Sequence, residues 1–169
     1  MKIKLVKKLK VLLITVPAVI ILDQITKKAI LDRFTLHEML PMIQGYFDLT
    51  YIRNTGAAFG MLATADPSLR IPFFMLVPLI ALGVIGYLFK NLPKNSVLMA
   101  LALSLIVSGA IGNLIDRIRY GYVVDFLYFS WKHEYFFPAF NVADSAITIG
   151  VGLLLLDMGG GGNRASTSV

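Results

Sequence analysis

Long apolar runs divided by short polar stretches set the layout of this chain. Residues 1–10 hold five lysines and lead into the apolar stretch VLLITVPAVIIL. That pairing resembles the start of a secretory leader, but no small-residue cleavage site follows. The run continues past Asp23, Gln24 and Lys27, so the pattern predicts an uncleaved membrane helix at about 9–31. Residues 71–89 and 97–115 are each 19 residues without a charged side chain, close to the roughly 20 that cross the hydrocarbon. They predict helices at 71–89 and about 97–116, and a fourth apolar run predicts one at 138–157.

Between the helices the pattern changes. Residues 45–52 are rich in aromatic and β-branched side chains bounded by Gly45 and Asn54, which reads as a short strand. The following Asn54-Thr55-Gly56-Ala57-Ala58-Phe59-Gly60 reads as a tight turn. A surface sheet is placed at about 35–60, either a connector or a platform for an extended peptide. An interfacial segment dense in Tyr, Phe and Trp follows at 117–137, where amphipathic rings mark the headgroup level. The expectation is an all-α membrane protein with four transmembrane helices and a small extracytoplasmic β-sheet on the membrane surface. It forms one membrane domain, 1–158, with a flexible tail at 159–169.

Composition agrees. Hydrophobic residues make up 57% and charged residues 15%, against about 25% charged in soluble domains. There is no cysteine, which excludes disulfides, thiolate metal sites and a cysteine nucleophile. The net charge of +6 suits a membrane surface better than nucleic acid, because the lysines sit beside apolar spans. Eight Lys and Arg fall on each side of a four-span arrangement, but those on the terminal side lie in much shorter segments. The termini are therefore placed in the cytoplasm, and the loops carrying Asp116, Asp125 and Asp144 outside.

Those carboxylates are the candidate chemistry, since an ionisable group at membrane depth is costly unless it has a task. Asn113, Asp116 and Arg117 share one helical face at the end of the third helix, and Asn141 and Asp144 open the fourth. Asp125 lies in Tyr-Val-Val-Asp-Phe on the segment between them. Folding that segment back brings Asp125 against Asp144, and two carboxylates held close share a proton near neutral pH. One can then activate water while the other protonates, as in aspartic-type peptide hydrolysis.

Blander readings compete. Asp23 and Lys27, four apart, form a helical ion pair with a snorkelling lysine; Asn54 and Gly56 make only a turn; Asn113 and Asn141 are packing amides; Asp144 is a helix N-terminal charge. Asp116, beside Arg117, suits an ion pair or holding a neighbour better than sharing a proton. His37 and His133 lack a metal-protease spacing, though three aspartates could hold a hard cation; no serine sits in a nucleophile-elbow setting, but a serine with Lys27 as base stays open. Residue logic alone leaves two classes open: an intramembrane protease, or a small proton-coupled carrier using carboxylates as relays.

A resemblance separates them. Asn54-Thr55-Gly56-Ala57-Ala58-Phe59, Gly112-Asn113-Leu114-Ile115-Asp116-Arg117, Val123-Val124-Asp125-Phe126 and Phe140-Asn141-Val142-Ala143-Asp144-Ser145 resemble, in order and spacing, the motifs of the bacterial lipoprotein signal peptidases, or signal peptidase II. Asp23-Gln24-Ile25-Thr26-Lys27 resembles that family's first motif, and no motif position departs. The resemblance implies a four-helix aspartic endopeptidase of the bacterial inner membrane, needing no metal or other cofactor. Its substrate would be a prolipoprotein, cut on the amino side of a diacylglyceryl-modified cysteine. Membrane lipid would be its other partner, and the chain would act as a monomer. The implied catalytic pair is Asp125 and Asp144. Asp23, Lys27, Asn54, Gly56, Asn113, Asp116, Arg117, Asn141 and Ala143 are implied to shape the site or contact substrate.

Overall fold

The computed structural model describes residues 6–56, 66–132 and 134–161. Readings that fall on 57–60, His133 and 162–169 lie outside the described residues. Four helices, α1 (Lys7–Arg33), α2 (Pro67–Asn91), α3 (Val97–Tyr120) and α4 (Val142–Gly161), are interleaved with strands β1 (Met39–Ile43), β2 (Phe47–Asn54), β3 (Val123–Trp131) and β4 (Tyr135–Phe140).

Among the described residues, Lys7–Arg33, Ser68–Asn91 and Val97–Tyr120 are long and apolar enough to cross a membrane. Large apolar side chains on α1 and α2, including Leu13, Ile14, Ile21, Ile25, Leu69, Ile80 and Tyr87, lie on the outside, where lipid rather than water suits them. At one end, the Lys8 ammonium donates to the carbonyls of Phe89 (2.9 Å), Lys90 (3.1 Å) and Leu92 (2.7 Å). A cation there offsets the partial negative charge of the α2 C-terminus.

Helix α3 is the hub, packed against α1, α2 and α4. Its buried residues Ala100, Ser104, Ser108, Gly109, Gly112, Asn113 and Asp116 form the stripe that three- and four-residue spacing creates. Ser104 and Ser108 turn their hydroxyls back to the carbonyls of Ala100 (2.6 Å) and Ser104 (2.5 Å), so their polarity is satisfied within the helix. Small residues let α4 approach: a Cβ on Gly109 would collide with the Ala143 carbonyl oxygen and come within 2.6 Å of Ile147 Cγ1. Helix α3 ends at Gly121, whose positive φ of 77° places it in the left-handed region, the usual helix C-terminal stop.

The strands form one antiparallel sheet in the order β1-β2-β3-β4. It packs on the end of α1 through Ile30, Tyr51, Val124 and Phe126. This sheet is larger than the sequence pattern predicts. The segment expected to be interfacial at 117–137 finishes α3 and then forms β3 and the first half of β4. Pro138, expected to open the fourth helix, lies in β4 instead, and α4 begins at Val142. The aromatic residues of β3 and β4 belong to a pleated sheet whose outer strand β4 is largely exposed, a pattern that also suits the headgroup level. The chain is thus mostly helical with a small antiparallel sheet, as expected, but the sheet has four strands and takes in β3 and β4 as well.

Gly109→Ala is expected to lower stability by about 1–3 kcal/mol through overpacking against α4. Gly83→Ala, where a Cβ meets nothing within 4 Å, should leave it unchanged or slightly raised; thermal unfolding in detergent compares the two.

Candidate active site

The site is built around a lysine with no access to water. Lys27 is 2% exposed, and its ammonium reaches Asp23 Oδ2, Asp116 Oδ2 and Asn113 Oδ1, each at 2.9 Å. An ammonium has three protons to donate, and all three are used. Gln24 Nε2 adds donors to Asp23 Oδ2 (3.1 Å) and Asp116 Oδ1 (3.0 Å). Both carboxylates then grip backbone on other elements. Asp23 Oδ1 accepts from Ala143 N–H of α4 at 2.9 Å, and Asp116 Oδ2 accepts from Val124 N–H of β3 at 3.0 Å.

Those two amides lie one residue before Asp144 and Asp125. The charged cluster therefore positions both candidate carboxylates by holding the chain beside them. The lysine does not snorkel. Asp116 pairs with Lys27 rather than with its neighbour Arg117, whose Nη2 donates to the Gly56 carbonyl at 3.0 Å while its guanidinium lies 5.2 Å from the Phe74 ring centre.

Asn141 joins the two sides. Its Oδ1 accepts from Asp144 N–H at 2.9 Å, while Asp144 Oδ2 accepts from Asn141 N–H at 3.2 Å. This reciprocal pair is a capping box at the start of α4. The Asn141 amide then donates to Asp125 Oδ1 at 2.7 Å and to Asn113 Oδ1 at 3.2 Å. Asn113 donates in turn to Asp144 Oδ1 at 2.7 Å. Asn54, at the end of β2, donates through Nδ2 to Asp125 Oδ2 at 3.0 Å, and its side-chain Oδ1 accepts from Gly56 N–H at 3.0 Å. The turn and the contact to Asp125 are thus one device.

Asp125 and Asp144 open onto one cleft of about 870 Å³, which Asn54, Asn113, Arg117, Tyr128, Phe137, Pro138 and Phe140 also line. Asp125 is 1% exposed. Burial pushes its carboxyl up to about 7 and the charge of Asp144 adds to the rise, against the opposing hydrogen bonds from Asn54 and Asn141.

Every residue singled out from the sequence falls in this assembly. Ala143 is fully buried, and its backbone carries the bond to Asp23. Gln24 was not among the candidates, though a polar amide beside Asp23 in a membrane helix was the available signal. The capping box Asn141-Val142-Ala143-Asp144 was equally legible. The backbone amide of Val124 left no mark in the sequence.

A membrane protein that brings two carboxylates to one cleft, under amide donors, has the makings of a membrane-embedded hydrolase. Residues 15–159 match the family described as signal peptidase (SPase) II, and the chain belongs to that family, the lipoprotein signal peptidases that remove signal peptides from prolipoproteins. It is 55% identical over 139 residues to the lipoprotein signal peptidase of Geobacter sulfurreducens, covering 82% of this chain and 85% of that one. It is 51% identical over 153 residues to that of Syntrophus aciditrophicus, covering 90% and 94%. A solved bacterial membrane enzyme, determined by the in meso method at 2.3 Å, superposes with a TM-score of 0.82 at 33% identity, over 94% of this chain and 93% of that one. A second, at 1.9 Å, gives 0.77 at 34% identity, over 87% and 91%. Membership of the family decides between the peptidase and the carrier.

Lys27→Met leaves two buried carboxylates without their counter-ion and is expected to destabilise the protein by roughly 3–5 kcal/mol. Lys28→Met removes an exposed pair with Asp32, whose side chains are 75% and 55% exposed, and should leave the melting temperature unchanged.

Proposed function

We propose that the chain is an aspartic endopeptidase, with Asp125 and Asp144 as its catalytic pair, that cuts prolipoproteins on the amino side of a diacylglyceryl-modified cysteine. The observation that carries this reading is the double use of Asn141, which ties Asp125 to the very helix start that holds Asp144. With its carboxyl raised to about 7, Asp125 holds the shared proton. Asp144, at a helix N-terminus that favours negative charge, serves as the base.

In this reading Asp144 takes a proton from a water, whose oxygen attacks the scissile carbonyl carbon. Asp125 gives its proton to the carbonyl oxygen. The tetrahedral species collapses as the C–N bond breaks: its hydroxyl proton returns to Asp125, and the leaving amine takes the proton held by Asp144, so both carboxyls regain their starting states. Arg117 and Asn54, both lining the cleft, contact the substrate backbone. Asp23, Lys27 and Asp116 are positioning residues, and Gly56, Asn113, Asn141 and Ala143 shape the site.

The reaction is read as metal-independent because the carboxylate oxygens of the pair face amide N–H donors, which suit an anion or its proton rather than a cation. The fourth span is α4, which together with the other three sets the cleft at the extracytoplasmic face of the inner membrane. Lys7, Lys8 and Lys10 gather with Lys90 and Lys94 at the opposite end, beside the Lys8 contacts to α2, as cytoplasmic termini require. The sheet lies on the outer membrane surface, and the diacylglyceryl chains stay in lipid beside the helices.

Asp125→Asn and Asp144→Asn are each expected to lower cleavage of a diacylglyceryl-modified prolipoprotein by roughly 10²- to 10⁴-fold or more, with membrane insertion intact. The assay is run with and without chelator. Turnover retained by either variant, or lost on chelation, contradicts the reading.

A further inference from the structure

A second hollow of about 160 Å³ lies on the sheet, lined by His37, Met39, Thr50, Ile52 and Tyr128. Ile52 and Tyr128 also line the cleft that holds Asp125 and Asp144, so the two hollows share a wall. The hollow has several times the ~30 Å³ that one water occupies in the liquid. It has room for a side chain but not for a folded segment.

Its position along the sheet sets a register. Asp125 on β3 is the cross-strand partner of Ile52 on β2, and Thr50 on β2 is the partner of Met39 on β1. Ile52 is one strand-to-strand step of about 4.8 Å from Asp125; Thr50 lies two residues further along β2, about 8 Å from Asp125, and Met39 one more step across, about 12 Å. An extended peptide rises about 3.3 Å per residue, so a chain leaving the catalytic pair in this direction puts its third residue over the hollow.

The direction follows from the substrate's chemistry. Before the scissile bond the substrate is an apolar signal segment that belongs in the bilayer, and the first residue after it carries the lipid. Only the mature chain beyond is free to leave across the sheet. We infer that the recess formed by His37, Met39, Thr50, Ile52 and Tyr128 is a specificity pocket for the third residue after the scissile bond, two positions past the modified cysteine. This rests on the peptidase reading above.

The walls favour an apolar side chain of medium size. Met39 and Ile52 are apolar, and the Thr50 hydroxyl is already used on the Glu38 carbonyl at 2.8 Å. His37 is fixed at the rim by its backbone, with a φ of 68° and its N–H donated to the Tyr51 carbonyl at 2.8 Å.

The test uses the purified full chain in detergent and synthetic diacylglyceryl-cysteine peptides that differ only at the third residue after the scissile bond. The wild type should prefer leucine over glycine there by roughly three- to tenfold in kcat/KM, mainly through KM. Met39→Trp, which fills the recess, should bring the leucine peptide down to the glycine peptide and leave glycine turnover unchanged. Leucine moved to the second or fourth residue should show no dependence on Met39. An equal response to leucine and glycine in the wild type, or a preference unchanged in Met39→Trp, overturns the pocket while cleavage of the glycine peptide upholds the peptidase. Failure of the wild type to cleave any peptide overturns both.

Discussion

An ammonium sealed from water between two carboxylates is the interaction on which this structure depends. Lys27, Asp23 and Asp116 carry one positive and two negative charges into the protein, where an unmatched charge is costly. They are tolerated because every charged atom has a partner: three acceptors for the ammonium, and for the carboxylates the Gln24 amide and two backbone amides. Those backbone amides belong to α4 and β3, so satisfying the buried charges and aligning the two candidate catalytic carboxylates are one event. Three helices, α1, α3 and α4, and the strand β3 are tied at a single point, from which Asp125 and Asp144 project into the cleft.

The same economy extends outward through amides. Asn113 connects the lysine to Asp144, and Asn141 connects Asp144 to Asp125 while it caps α4. Asn54 brings in β2 and the turn that follows it. Because each amide both donates and accepts, a proton or charge change at one aspartate is felt by its neighbours through bonds of fixed direction. The middle of the outward faces of α1 and α2 can remain apolar because none of this polarity reaches them.

Much of this was legible in the sequence. Uncharged runs of membrane length gave α2 and α3, and the polar residues interrupting apolar segments gave the cluster itself, since lipid tolerates them only with partners. The i,i+4 spacing of Asp23 and Lys27 correctly paired them. What the sequence hid is non-local. Asp116 sits beside Arg117 in the chain, yet its partner is Lys27 on another helix, because burial favours a pairing with no solvent-facing arm while Arg117 reaches across to Gly56. In the sequence, β3 and the first half of β4 read as an interfacial segment, because aromatic residues serve a pleated sheet and a headgroup layer equally well and only cross-strand register tells them apart. Pro138 was read as the start of a helix, although it is equally at home in an outer strand.

The central claim is that Asp125 and Asp144 are held so that one proton serves both near neutral pH. Infrared difference spectroscopy of the purified protein tests it through the Asp125 carboxylic acid band, identified by its loss in Asp125→Asn. The account predicts a protonated Asp125 below pH about 7 that ionises as pH rises through that value. It also predicts a lower midpoint in Asp144→Asn, where the neighbouring charge is gone but burial remains. An Asp125 already ionised at pH 5, or a midpoint indifferent to Asp144, would contradict it.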